Sequence, residues 1–259
     1  MKSKKVIALG LASCVLLSQP LYAAQPLKGN MKPKGPMKGK PAVVAVQKDQ
    51  VKEVRFTTKK ITSTEDGLVL DICIPVIEGF TDIKFQKKLN DTIEKQIMKD
   101  KKDMEQEVKK YLHDAKKQDL KISPYKLQVD YDIKSSGDIL SFTITTGVSY
   151  GNNSMERVDS YNIDEKGNQL LQLKDLFKEG SDYKKIIVAE IEKQIKAQED
   201  NKVVYFKGNK GYKNISATQA FYIQGDSVVI TFPKYSIAPG FMGTPEFKIP
   251  FSMLKDLLK

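Results

Sequence analysis

From Val51 onward the spacing of apolar residues switches between two and about four, and each switch marks an element. Val54, Phe56 and Ile61 suggest a first strand. Leu68, Leu70, Ile72 and Ile74 alternate as a second, with Asp66-Gly67 as the turn between them and Pro75 and Gly79 as its end. Phe85, Leu89, Ile93 and Ile97 then recur every four residues, and Met104, Val108, Leu112 and Ala115 resume the stripe. These positions stay near one face of a helix of about 35 residues, ~50 Å long if continuous. Thr81 or Asp82 is its expected cap, and a kink or frayed end is expected after Lys99.

After Pro124 the period returns to two. Leu127, Val129, Tyr131 and Ile133 alternate with polar residues, "SSGD" turns the chain, and Leu140 to Tyr150 return. Residues 151–154, Gly-Asn-Asn-Ser, interrupt the pattern before a third strand from Met155 to Ile163. "DEKGN" turns again at Gly167. Tyr183, Ile187, Ile191 and Ile195 define a second, shorter helix with Ser181 as its expected cap. Strands follow at 219–223, 226–232 and "EFKIP", and "FSMLKDLLK" forms a short closing helix. Strands come in hairpins and do not alternate with helices. The expected fold class is therefore α+β: antiparallel sheets in hairpins and meanders, with one long and one medium helix packed on them.

Charge changes the picture at the N-terminus. The net charge is +11, and residues 1–50 hold nine lysines against one acid, leaving only +3 for the rest. A nucleic-acid binder carries its basicity on the folded face, so nucleic acid is not an expected partner. "MKSKK", the apolar "VIALGLASCVLL" and "SQPLYAAQ" have the layout of a secretory signal peptide over residues 1–24, cut after Ala23 or Ala24. "LASC" ending at Cys14 also resembles a bacterial lipoprotein cleavage box, and an uncleaved anchor is a third reading that Pro20 opposes. Residues 25–50 read as a Lys, Pro and Gly-rich linker, either a spacer or a tether to an anionic surface. The expected location is extracytoplasmic, secreted or attached to the cell envelope. Cys73 sits in "LVLDICIPVI", where a buried thiol is expected.

Reactive groups are sparse. His113 is the single histidine and stands on the lysine-rich helix; with two cysteines in the chain, a zinc site of usual composition is not expected. Asp130 and Asp132 share one face of a strand, and with Asp159 they are candidates for acid–base work on wall polymers, the alternative reading of the chain as a hydrolase. Acids are also what the polar face of an amphipathic strand ordinarily carries. "KGNKGYK" lacks the spacing of a phosphate cradle and reads as a loop. No cofactor is expected.

Two runs, "SYNIDEKGNQLLQLKDLFKEGSDY" and "FYIQGDSVVITFPKYSIAPGFMGTPEFKIPFSML", resemble the RsiV-like extracytoplasmic domain family, and "LDICIPVIEGFTDIKFQKKLNDTIEKQI" resembles the PdaC-type domain that precedes it. The resemblance divides the chain into a PdaC-type domain at 51–120 and an RsiV-like domain at 121–259. It implies an envelope-exposed, non-catalytic binding module. One type of member is an anti-sigma factor whose outer domain binds lysozyme; another pairs the module with a peptidoglycan deacetylase domain. Neither a cytoplasmic sigma-binding domain ahead of the apolar run nor a deacetylase domain behind the module is expected here. Family members commonly carry a Gly-Gly-Ala-His-like cluster where this chain has Tyr150 to Ser154, without the histidine. The cluster is therefore expected to be a hairpin connection near the "YSIAPGFMG" loop. A contact patch of Tyr150, Asn152, Asn153, Arg157, Tyr161, Tyr235 and Phe241 is expected to meet a cell-wall glycan or a muramidase-like protein.

Overall fold

The computed structural model describes residues 53–65, 67–118, 122–201 and 203–259. The expected signal peptide, the lysine-rich linker, Cys14 and Asp66 lie outside them. Six strands form one sheet in chain order: β1 (Arg55–Glu65), β2 (Leu68–Glu78), β3 (Tyr125–Ser136), β4 (Ile139–Tyr150), β5 (Asn153–Asp164) and β6 (Gln169–Leu170). A second sheet holds β7 (Phe221–Gln224), β8 (Ser227–Thr231) and β9 (Glu246–Pro250). Three helices accompany them: α1 (Ile83–Lys117), α2 (Tyr183–Asp200) and the short α3 (Phe251–Leu254). The α+β class holds. All pairings are antiparallel except β2 with β3, which α1 joins as a crossover.

Where the elements differ from expectation, the cause is tertiary. Helix α1 runs unbroken for 35 residues because Met104, Val108 and Ala115 are buried beyond the expected break at Lys99. Asp82 caps it, accepting from the amides of Lys84 at 2.8 Å and Phe85 at 3.0 Å. Strand β2 does not stop at Pro75, which pairs opposite Thr58. Strand β3 reaches β2 only from Leu68 to Ile72, so no second neighbour demands an amide donor from Pro75. Asp182, not Ser181, holds the cap position of α2, and no side chain makes a cap bond there. Cys73 is half-buried on the sheet face away from α1.

Two cores result. The first lies between α1 and one face of the large sheet, with Ile72, Ile93, Ile97, Val129, Phe142 and Ile163 at its centre. It takes residues from both sides of position 120, so the expected domain boundary there cuts through one sheet and one core. The second gathers Phe177, Ile187, Ile191, Val228, Phe247 and Ile249 between α2 and the small sheet. The other face of β4 and β5 packs on β7 through a buried polar joint. Ser141 Oγ donates to Asn162 Oδ1 at 2.6 Å, Asn162 Nδ2 donates to the Phe221 carbonyl at 2.7 Å, and the Ile223 amide donates to Ser141 Oγ at 3.1 Å.

The second core contains one polar atom without a partner among the described residues. The Tyr212 hydroxyl is buried beside Phe232, whose ring meets it edge-on at 5.6 Å. Burial and the nearby Glu192 charge push this phenol up to about 12. The folded state thus favours the neutral phenol. Its stabilising share is complete below the unfolded value near ~10 and is lost as pH rises through about 12. Tyr212→Phe is expected to flatten that alkaline loss and leave neutral-pH stability unchanged or raised, since an unpaired hydroxyl is removed. Urea midpoints measured from pH 7 to 12 check this; an unchanged alkaline slope refutes it.

Candidate ligand-binding surface

The residues expected to form one patch are sorted by strand parity onto two faces of the large sheet. Alternate residues of a strand point to opposite faces. On β5, Arg157 and Tyr161 share the helix-facing side with Ile163, whereas Ser154, Glu156 and Asn162 face the second sheet. Tyr150 on β4 also points toward α1.

On the second face, the β4–β5 hairpin tip meets the 232–244 loop. Tyr150 pairs with Asn153, so Gly151 and Asn152 alone form the turn, and Gly151 supplies the positive φ of +55° at its first central position. The expected hairpin is what the chain builds there. Lys234 Nζ donates to the Ser154 carbonyl at 2.9 Å, and Thr244 Oγ1 donates to Glu156 Oε1 at 3.3 Å. The loop is held from below by buried Ile237 and Ala238, and by the Phe206 amide donating to the Ile237 carbonyl at 2.9 Å. At its top, Tyr235 adopts a φ of +68°, uncommon for a large side chain. The Ser236 hydroxyl closes the bend on the Pro233 carbonyl at 2.6 Å. Tyr235 lies against Gly240, where a β-carbon would come within 2.1 Å of the ring. This scaffold leaves Phe241 79% exposed and Tyr235 52% exposed. Asn152 is exposed at the hairpin turn, whereas exposed Asn153, paired with Tyr150 and in step with Arg157 and Tyr161 along β5, is on the α1 side of the sheet and leaves the expected patch. Lys234, Gly240 and Thr244 were missed in the sequence, because their roles depend on contacts across about eighty residues or across the loop itself.

Tyr150 does not join this rim. Its hydroxyl donates to the Tyr111 hydroxyl of α1 at 2.9 Å and its ring stacks on Tyr125 at 4.5 Å. The hydrogen bond to Tyr111 and burial both raise its phenol above the ordinary value. The three tyrosines tie the hairpin to the last turns of α1, a packing role.

Arg157 and Tyr161 line a groove between β5 and α1 together with Asp159, Thr92, Lys95, Gln96 and Lys99. Arg157 forks onto Asp100 at 2.6 and 3.3 Å and reaches Asp159 at 2.8 Å. These hydrogen bonds, led by the one to Asp100, raise the guanidinium well above its ordinary value. Gln96 donates its amide to Asp100 at 3.1 Å. Tyr161 stacks flat on Phe142 with ring centres 4.9 Å apart. Asp100 sits in a lysine-rich helical run with nothing in the sequence to single it out.

The carboxylates considered for catalysis do not converge. Asp132 is exposed and paired with Lys134 at 2.6 Å, and Asp130 is exposed on the same face, accepting from the Tyr131 amide at 2.8 Å. Asp159 lies on the opposite face, bound to Arg157. Among the described residues no group of three or more His, Cys, Asp or Glu side chains is placed to hold a metal ion. No helix among them is long and apolar enough to cross a membrane.

Residues 61–151 match the family described as deacetylase PdaC, and residues 174–252 match a family described as a protein of unknown function, DUF3298. The anti-sigma-V factor RsiV of Bacillus subtilis (strain 168) is 32% identical over 215 residues, which are 80% of this chain and 71% of that one. Two solved structures share the fold. A DUF3298-family protein from Bacteroides fragilis superposes with a TM-score of 0.56 at 20% identity, covering 80% of this chain and 93% of that one. One from Pseudomonas aeruginosa gives 0.51 at 14% identity, covering 80% and 94%. The chain belongs to the family of RsiV-like proteins, with a PdaC-type segment preceding a DUF3298 segment.

Proposed function

We propose that this is a non-catalytic binding protein of the bacterial envelope, and that its rim of hairpin tip and 232–244 loop docks a muramidase-like protein. The observation that carries this reading is the pair of aromatic side chains displayed on a rigid, strained loop. Phe241 is 79% exposed and Tyr235 52% exposed, although the loop beneath them is pinned to the core and to the hairpin. A side chain held in a sparsely populated conformation at an exposed tip is characteristic of recognition sites. Aromatic anchors with a lysine beside them, Lys234 Nζ lying 5.6 Å from the Tyr235 ring centre, supply contact area at low entropic cost. The relationship to an anti-sigma factor, a protein named for a binding role, fits the same reading. Docking at the rim buries Phe241 and Tyr235 while Asn152 and Lys234 hydrogen-bond around them.

The test is binding of the purified protein to an immobilised lysozyme-type muramidase. Phe241→Ala is expected to weaken binding by about tenfold or more and leave thermal unfolding unchanged, because the ring is almost fully exposed. Absence of saturable binding by the unaltered protein overturns the choice of partner. The reading as a wall-polymer hydrolase is disfavoured by the separation of Asp159 from Asp130 and Asp132 on opposite sheet faces.

A further inference from the structure

We infer that the groove between α1 and β5 is a second ligand site, for an uncharged amino-sugar oligosaccharide. It lies on the sheet face opposite the rim, so it stands or falls apart from the docking of a protein there. Thr92, Lys95, Gln96 and Lys99 follow one flank of α1 at helical spacing, and Arg157, Asp159 and Tyr161 form the other wall.

Three properties set the ligand class. The walls are already rigid. Arg157 is clamped by Asp100 and Asp159, Gln96 is bonded to Asp100, and Tyr161 is fixed on Phe142, so a ligand meets ordered donors and acceptors and orders little itself. The charges cancel: Arg157 stands against two carboxylates, Lys99 pairs with Asp103 at 2.6 Å, and Lys95 supplies the remaining cation. A polyanion gains no net attraction from such a groove, and an apolar ligand would strand its charged groups without solvent. What remains is a ligand rich in hydroxyl and amide groups with an aliphatic face. Lysine ammonium groups donate to ring hydroxyls, the Asp159 carboxylate and the Thr92 hydroxyl, whose own proton goes to the Lys88 carbonyl at 2.7 Å, accept from them, and Tyr161 offers aromatic surface to a sugar ring. An aromatic wall with convergent polar groups in a concave site fits this chemistry. Because the groove and the rim are on opposite faces, glycan and protein can be held at the same time.

The probe is chitotetraose, titrated into the whole protein by calorimetry, with tyrosine emission as a second readout. Saturable binding is expected, weakened about tenfold by Tyr161→Ala and restored by Tyr161→Phe, since the ring and not the hydroxyl makes the contact. Gln96→Ala, on the exposed flank of α1, is expected to weaken binding without changing the melting temperature. Phe241→Ala, at the rim, is expected to leave it unchanged, and poly-glutamate is not expected to compete. No saturable binding, equal binding by the Tyr161→Ala and Gln96→Ala proteins, or displacement by poly-glutamate overturns the inference. Loss of muramidase binding with chitotetraose binding intact would sink only the reading of the rim.

Discussion

Asn162→Leu is expected to lower the unfolding free energy by about 3 kcal/mol. The reason lies at the open edge of the small sheet. Strand β7 pairs only with β8, so its other side presents backbone groups with no strand to bond. The first sheet supplies side chains in place of a strand. Asn162 donates to the Phe221 carbonyl at 2.7 Å, and Ser141 accepts from the Ile223 amide at 3.1 Å while donating to Asn162 at 2.6 Å. Asn162 is 3% exposed and Ser141 fully buried, so water cannot replace the lost bonds. Leucine keeps the branched outline of asparagine but is bulkier, so no cavity opens, and the cost is that of a stranded carbonyl and a stranded hydroxyl with some overpacking added. Ser141→Ala alone is expected to cost less. The double variant should fall short of the sum, because both changes break one connected network. Equilibrium urea unfolding measures all three. A loss for Asn162→Leu below about 1 kcal/mol would mean that the joint does not hold the two sheets together.

Gly240→Ala is expected to weaken muramidase binding by about thirtyfold while barely changing stability. The methyl group of alanine would stand 2.1 to 2.3 Å from the Cζ, Cε1 and Oη atoms of Tyr235, so the ring must swing out of its seat. The ring lies at the surface and its far end is free to move, which keeps the folding cost small. Its displacement nevertheless removes one of the two anchors and frees the loop that orders the other. Tyr235→Ala is expected to weaken binding to a similar degree, and the double variant should bind no worse than either single one, since both act by emptying the same seat. Surface plasmon resonance together with thermal melts separates the two effects. Gly240→Ala binding as tightly as the unaltered protein would show that Tyr235 does not contact the partner from the position described.

Local pattern carried far in this chain where burial on one face leaves a period to read. The four-residue stripe from Phe85 to Ala115 places α1, and alternation places β3, β4 and β5 with their turns. The 151–154 cluster was legible as a hairpin connection because Asn and Gly suit a tight bend, but its narrowing to Gly151-Asn152 was not, since Asn153 and Ser154 enter β5 only through their pairing with β4. The joint of β2 to β3 was not legible, since a parallel pairing across a long helix leaves no local mark. The persistence of β2 through Pro75 was hidden for a related reason: whether proline breaks a strand depends on which neighbour needs its missing amide. The candidate residues show the same division. That Phe241 and Tyr235 belong to one loop could be read from the sequence with the family resemblance. That Arg157 and Tyr161 face away from them follows from strand register in the folded sheet.

By itself the sequence determined the α+β class, the order of most elements, the basic N-terminal segment and the family. Each of these is written in residue types and spacings along the chain. Only the tertiary structure decided which side chains meet: Asp100 with Arg157, Lys234 with Ser154, Asn162 with the edge of β7. Each pair is separated by more than fifty positions. Contacts of that kind are set by sheet register and by the packing of α1 and β7 on opposite faces, and a one-residue shift in register would exchange the two faces and disperse both sites.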